Sequence, residues 1–337
     1  MIQRTLGKTN FDIGVIGFGG IPIQRLPEDK AVSIVKLALE KGVNFIDSAR
    51  AYGDSERLIG LALKGHNKKC FIATKSMSRT YDAMKKDLEI SLKNFDCGVI
   101  DLYQFHLVKT KGQLDQIMGP DGAYRALKEA QEQGLVKEIG ITSHDFDLIN
   151  YALDTDYFST IQFPYNIVES QGEALFKKAA KKNIGVIIMK PMAGGALDNG
   201  NLAIRYILEN PNISVVIPGM DEEKQVEENL NAGINYIPLS EDEKDAIDKI
   251  KRELGTKFCR RCGYCLPCPQ GIDIPAAFLM EGYFTRYDLT EWAQSRYDAL
   301  PHKASECIEC GACEPRCPYN LQIRDMLKDV ALKLEKR

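Results

Sequence analysis

Residues 44–106, NFIDSARAYGDSERLIGLALKGHNKKCFIATKSMSRTYDAMKKDLEISLKNFDCGVIDLYQFH, hold three short apolar and β-branched runs: NFIDSA (44–49), CFIATKS (70–76) and DLYQFH (101–106). Between them lie two longer stretches of helical character, SERLIGLALKG (55–65) and YDAMKKDLEISLKNF (81–95). The alternation continues in both directions. VIGFGG (15–20) precedes it, and EIGITS (138–143), TIQFPYN (160–166), GVIIMK (185–190) and SVVIPG (214–219) follow. The intervening segments EDKAVSIVKLALEKG, GAYRALKEAQEQG, EALFKKAAKKN, LAIRYILENP and EEKQVEENLNAG carry polar outer faces and Gly, Asn or Pro stops. In the first of these, Val32, Val35 and Leu39 share a face with Ala31, Ile34 and Ala38, which is the helical period. Eight strand–helix units over about 240 residues predict an α/β fold of the (β/α)8 TIM-barrel type. An open doubly wound sheet also satisfies the pattern alone.

The whole chain has 337 residues, too many for one barrel without an appendage. Helix SEDEKDAIDKIKREL (240–254), with Ser240 and Glu243 spaced as a capping box, marks the boundary. The expected domains are therefore 1–255 and 256–337, the second small and mainly helical, with helices at AAFLMEGYF and IRDMLKDVALKLEKR. With 44 basic and 47 acidic side chains the net charge is −3, so no global field favours nucleic acid or an anionic membrane. The N-terminus shows no basic stretch followed by an apolar core, and no uncharged apolar run reaches the length of a membrane span. The expectation is a cytoplasmic protein.

Cysteine is distributed unevenly: Cys70 and Cys97 stand alone, and the other eight of ten lie between 259 and 317. In a reducing compartment such clustering points to metal rather than disulfides. Cys307, Cys310, Cys313 and Cys317, followed by Pro318, have the CxxCxxCxxxCP spacing that ligates cubane iron–sulfur clusters. Cys259, Cys262, Cys265 and Cys268, followed by Pro269, have one residue fewer before the last cysteine. By analogy with ferredoxins, one 4Fe-4S cluster takes Cys259, Cys262, Cys265 and Cys317, and the other Cys307, Cys310, Cys313 and Cys268. Structural zinc in two four-cysteine sites is the competing reading, although zinc ribbons have no use for a third cysteine at the same step. Arg260 and Arg261 beside the first run either raise its potential, meet an acidic electron donor, or are ordinary solvated arginines.

In barrels the C-terminal strand ends build the active site. Asp47 and Tyr52 lie around the end of the second strand, Lys75 ends the third and His106 the fourth. A phenol is a poor acid at neutral pH, but a neighbouring ammonium favours phenolate, and an aspartate can hold that ammonium. Tyr52 then serves as proton donor and His106 orients a carbonyl. Each taken singly also reads as a cap, a half-buried aromatic, a snorkelling lysine or an ordinary histidine.

Together, Asp47, Tyr52, Lys75 and His106 match in type, order and strand position the tetrad of the aldo/keto reductase family. The chain resembles that family over residues 1 to about 238, through RTLGKTNFDIGVIGFGG, GITSHD (140–145), QFPYN (162–166) and VIPGMDEEKQVEEN (216–229). The resemblance implies NAD(P)H bound extended across the barrel mouth, with Ser143 and Gln162 on the nicotinamide carboxamide and Glu228 and Asn229 on adenine. GFGG is then a βα loop rather than a dinucleotide fingerprint. Where many relatives clamp the adenosine 2′-phosphate, this chain has Gly219, Met220 and Gln225, with Asp221, Glu222 and Glu223 nearby and Lys224 as a cation. This leaves NADH open beside NADPH. Lys190 stands where many relatives stack an aromatic on nicotinamide. With CRRCGYCLPCPQGIDIP (259–275) and ASECIECGACEPRCP (304–318) the whole chain resembles a subfamily with a C-terminal ferredoxin-type extension.

The leading expectation is an enzyme, an oxidoreductase that reduces an aldehyde or ketone, or oxidises an alcohol, with NAD(P)H. A hydride step needs no one-electron relay, so a second reading passes electrons from a ferredoxin or similar partner through the clusters to a flavin or to the substrate. A third is a redox-sensing binding protein whose clusters are structural. Loop 107–122, LVKTKGQLDQIMGPDG, carries no readable substrate code.

Overall fold

The computed structural model describes residues 1–335. Its strands are β1 (Gln3–Thr5), β2 (Asp12–Gly14), β3 (Phe18–Gly19), β4 (Phe45–Asp47), β5 (Phe71–Ser76), β6 (Ile100–Phe105), β7 (Val136–Thr142), β8 (Thr160–Pro164), β9 (Gly185–Met189) and β10 (Val215–Val216). Strands β3 to β10 pair in parallel, each with its neighbour in sequence. The two ends of the ladder then meet: Ile16 bridges Val216 and Gly19 bridges Gly219. Gly17 N donates to Val216 O at 2.8 Å and Val216 N donates to Val15 O at 2.9 Å. Sequential parallel pairing that closes on itself is a barrel, so the open-sheet alternative is set aside.

The seven helices anticipated between strands form, from Glu28–Glu40 to Glu223–Ile234. Their apolar faces and the outward-facing strand residues make one continuous buried layer, including Ile34, Leu58, Leu88, Leu127, Phe176 and Ile207. Two further helices, Lys111–Met118 and Phe146–Ala152, are additions to the sequence reading. The first converts half of the expected loop 107–122 into a short helix capped by Thr110, whose hydroxyl accepts from Gln113 N at 3.2 Å.

The hairpin β1–β2 was also unforeseen. Its Leu6, Phe11 and Ile13 pack with inward residues at the start of the barrel strands, Phe45, Phe71, Leu102 and Ile187, and the rings of Phe11 and Phe71 stack at 4.4 Å. The N-terminal end of the barrel is thereby filled with apolar side chains, each worth about 1.5–3 kcal/mol on burial. Gly7 is needed in the turn, at φ +54°, because a Cβ there would lie 2.3 Å from Gly185 N.

Two compact units emerge from the contacts: residues 1–166, 170–192 and 199–239 in the first, and residues 167–169, 193–198 and 240–337 in the second. The capped helix Glu241–Gly255, with its Ser240–Glu243 capping box, groups with the second unit. That unit adds helices Ile274–Thr285, Thr290–Asp298 and Ile323–Leu334. Lys336 and Arg337, the end of the expected helix IRDMLKDVALKLEKR, lie outside the described residues. The core of this unit is small and separate: Ile272, Ile274, Phe278, Tyr297, Leu321, Leu327 and Val330 pack with Cys265, Cys313 and Cys317. Among the described residues no helix is long and apolar enough to cross a membrane.

Candidate functional site

Register decides which side chains share the barrel interior. Asp47 pairs with Ala73 on β5, and Lys75, two residues on, falls on the same face. Lys75 in turn pairs with Gln104, Gln104 with Gly140, and Gly140 with Thr160, two residues before Gln162. A polar group of Asp47, Lys75, Gln104 and Gln162 results, each of them buried. Gly140 makes room for it, since a Cβ there would sit 2.3 Å from Thr160 Oγ1 and 3.0 Å from Gln104 Cγ.

Within this group the Asp47 carboxylate accepts from the Lys75 ammonium through Oδ1, and from Gln104 Nε2 and Gln162 Nε2 through Oδ2, both at 3.0 Å. Lys75 also donates to Ser48 O at 2.6 Å. Burial lowers the Lys75 pKa from its ordinary value, and the Asp47 charge works against that shift. The ammonium lies 4.9 Å from the centroid of the Tyr52 ring. The Tyr52 and His106 rings stand perpendicular at 5.6 Å. Asp47, Tyr52, Lys75 and His106 are thus brought together by three adjacent strand ends.

The His106 imidazole is held well below its ordinary pKa, first by burial and then by the charges of Lys75, Arg79 and Lys190. It is neutral at pH 7, and its Nδ1 is buried without a hydrogen-bond partner among the described residues. Sequence reasoning missed Gln104 and Arg79. Gln104 was legible as a polar residue two before His106, alternating with the apolar Tyr103 and Phe105. Arg79 carried no such signal: its Nη2 reaches across to His106 O at 2.7 Å and Leu107 O at 3.1 Å, and burial brings its pKa down to about 10.

The residues expected to hold a dinucleotide are less uniform. Ser143 follows β7, donates to Val108 O at 2.6 Å and accepts from Asp145 N at 3.0 Å. Gln162 donates its amide N–H to Asp47 at 3.0 Å. Met220 is fully buried, and Gly219 follows the closing turn after β10. Gln225 Oε1 accepts from Asp221 N at 2.9 Å, Lys224 approaches Glu228 at 3.6 Å along the exposed helix, and Asn229 is buried. Lys190 follows β9 at φ +57°, its carbonyl accepting from Asn166 Nδ2 at 3.0 Å. Asp221 forms an ion pair with Arg25, whose Nε donates to Oδ2 at 2.6 Å.

In the second unit, Cys259, Cys262, Cys265 and Cys317 line one cavity with Ile274, Phe278, Leu321 and Ile323. Among the described residues no three Cys, His, Asp or Glu side chains close on a single point as a lone metal ion requires. Four cysteines around one cavity are the donor type that iron–sulfur clusters use. Burial pushes the metal-free thiols up, Cys259 to about 11 and Cys265 to about 12, so ligation must displace protons. Cys313 is buried and feels Cys307 and Cys310, while Cys310 is exposed and Cys268 half-buried. Arg260 is buried, which corrects the solvated-surface reading of that side chain. Arg261 forms a buried ion pair with Glu169.

A closed barrel with a buried Asp–Lys pair, a tyrosine and a neutral histidine at neighbouring strand ends defines a class of barrel oxidoreductases. The chain belongs to the aldo/keto reductase family, whose pattern matches residues 13–202 and 199–252, and residues 258–322 match the 4Fe-4S dicluster domain. It is 27% identical to L-galactose dehydrogenase of Arabidopsis thaliana over 292 residues, 72% of this chain and 91% of that one. It is 30% identical to a probable aldo-keto reductase of Glycine max over 210 residues, 56% of this chain and 59% of that one. Among solved structures it resembles the holo form of an aldo-keto reductase from Bacillus halodurans, at TM-score 0.65 and 25% identity, covering 74% of this chain and 96% of that one. The protein is therefore an oxidoreductase of the aldo/keto reductase type with a C-terminal domain of iron–sulfur type.

Proposed function

We propose that the barrel reduces an aldehyde or ketone with NAD(P)H, and that the eight clustered cysteines hold two 4Fe-4S clusters. The observation that carries the first part is the Lys75–Asp47 pair packed against the Tyr52 ring with His106 edge-on to it. NAD(P)H, when bound, supplies the hydride, and Ser143 and Gln162 are the residues that would hold its carboxamide. The Tyr52 hydroxyl gives the proton to the carbonyl oxygen. Lys75, fixed by Asp47 and Ser48 O, keeps a positive charge beside the phenol and so favours the phenolate left after proton transfer. His106, being neutral, donates one hydrogen bond to the carbonyl and selects the face that is reduced. Gln104 and Gln162 hold the Asp47 carboxylate in place.

Tyr52→Phe tests this directly. Loss of general-acid catalysis lowers kcat for carbonyl reduction by about 10²–10⁴-fold with little change in nucleotide binding, and undiminished turnover overturns the assignment. The cavity lined by Cys259, Cys262, Cys265 and Cys317 supports placing one cluster there, and leaves Cys307, Cys310, Cys313 and Cys268 for the other. Anaerobic titration with NADH and NADPH, followed by EPR of the same samples, distinguishes how the two parts work. Oxidised clusters during carbonyl turnover mean a barrel acting alone. Clusters reduced by a pyridine nucleotide mean that a one-electron mediator such as flavin links the two chemistries.

A further inference from the structure

The cavity bounded by Cys259, Cys262, Cys265 and Cys317 is also lined by Arg260 and Tyr319. Arg260 is 8% exposed, so its charge acts in a medium of low dielectric. Its guanidinium is fixed on three carbonyls: Nε donates to Val168 O at 2.7 Å, and Nη1 to Gly255 O at 2.7 Å and Phe258 O at 3.3 Å. It lies over the Tyr319 ring at 3.8 Å. None of these partners is a carboxylate. The nearby Glu169 carboxylate instead binds Arg261, whose main-chain N–H points at Cys259 Sγ at 3.4 Å. Arg260, Arg261 and Glu169 therefore leave one net positive charge buried beside these thiols.

The other cysteine run differs. Cys310 is exposed, and the acids interleaved with that run are paired with cations: Glu309 with Lys328 at 2.9 Å and Glu314 with Arg324 at 2.7 Å. Net charge, hydrogen bonds to sulfur and solvent exposure set cluster potentials, and reduction adds an electron to an already anionic thiolate cluster. A buried cation favours the reduced form, whereas the cation within the second run, Arg316, donates to Ala312 O and Pro267 O in exposed hydrogen bonds, where solvent screens its charge more.

Resting on the reading that these cysteines hold clusters, we infer that Arg260 tunes the Cys259–Cys262–Cys265–Cys317 cluster to a higher reduction potential than its partner. An electron on the solvent-facing cluster then passes downhill to the buried one. The first is oxidised as the second is reduced, and no proton moves.

The test is an anaerobic redox titration of the full-length, iron-loaded protein followed by EPR, for wild type, Arg260→Gln and Arg260→Lys. In wild type two one-electron transitions are expected. In Arg260→Gln the higher one falls by at least tenfold in its reduction equilibrium, about 59 mV for one electron, while the lower one stays. Arg260→Lys, which keeps the charge and loses the fork, retains most of the wild-type value. Unchanged potentials in Arg260→Gln, equal shifts of both transitions, or a lysine variant displaced as far as the glutamine one would each overturn the inference. If Arg260→Gln does not retain iron, the lysine variant decides: a higher transition near the wild-type value supports the role of charge, and one lowered tenfold refutes it. Absence of any cubane signal in wild-type protein would overturn the cluster reading itself, and is recognised separately by iron and sulfide content.

Discussion

At the residue scale, the unusual group is a histidine kept neutral by burial and surrounded by cations. With its pKa depressed in the folded state and about 6.5 in the unfolded chain, His106 binds its proton more readily when the protein is unfolded. Its contribution to stability is thus complete above pH 6.5 and is lost as the pH falls below that value. Thermal melts at pH 7 and pH 5.5 should show His106→Gln losing less stability on acidification than wild type, by about 1 kcal/mol. Equal acid sensitivity in the two proteins would mean that His106 titrates normally. Arg25 and Asp221 give a second residue-level expectation. Asp221→Asn removes the carboxylate that occupies the Arg25 guanidinium, so the ratio of kcat/KM for NADPH to that for NADH should rise several-fold, the scale of about 1 kcal/mol for one charge-assisted contact. An unchanged ratio places Arg25 out of reach of the 2′-phosphate.

At the element scale, what could be read from the sequence and what could not follow from how far each interaction reaches along the chain. The eight barrel strands and the helices between them are local patterns of period, cap and stop, and each formed within a few residues of its expected place. The positions of Asp47, Lys75 and His106 at strand ends follow from those same patterns. The partners of Asp47 do not, because Gln104 and Gln162 lie 57 and 115 residues away and meet it only once the register is fixed. Arg25 and Asp221 are 196 residues apart. Hairpin β1–β2 was missed for another reason: three-residue strands carry too little alternation to stand out. The segment after β8 shows the same limit, since nothing local announces that Glu169 will pair with Arg261, 92 residues later. Both side chains are buried, so Glu169→Gln leaves a guanidinium without its counter-charge and should cost about 3–5 kcal/mol. Unfolding of the second unit, followed by loss of cluster absorbance on heating, reads that cost. An unshifted transition would assign the pair no structural weight.

At the scale of the whole molecule, the two units differ in how they are held together. The first has a continuous apolar layer between helices and strands and a second apolar group at the hairpin end, neither of which includes any of the eight clustered cysteines. The second counts Cys265, Cys313 and Cys317 among the fifteen residues of its buried core, with Cys259, Cys268 and Cys307 packed around them. A unit of that size has limited apolar burial of its own, so ligand bonds to those cysteines would supply a large part of its folding free energy. Stripping iron with a chelator under reducing conditions should therefore abolish or lower one thermal transition and leave the other in place. The surviving transition belongs to the barrel, and carbonyl turnover should survive with it. Calorimetry of the loaded and stripped full-length protein, with activity measured on the same samples, checks both statements. Loss of both transitions together would mean that the barrel depends on the cysteine-rich unit for its own stability. Two transitions unmoved by iron removal would mean that the clusters contribute electron transfer without structural support.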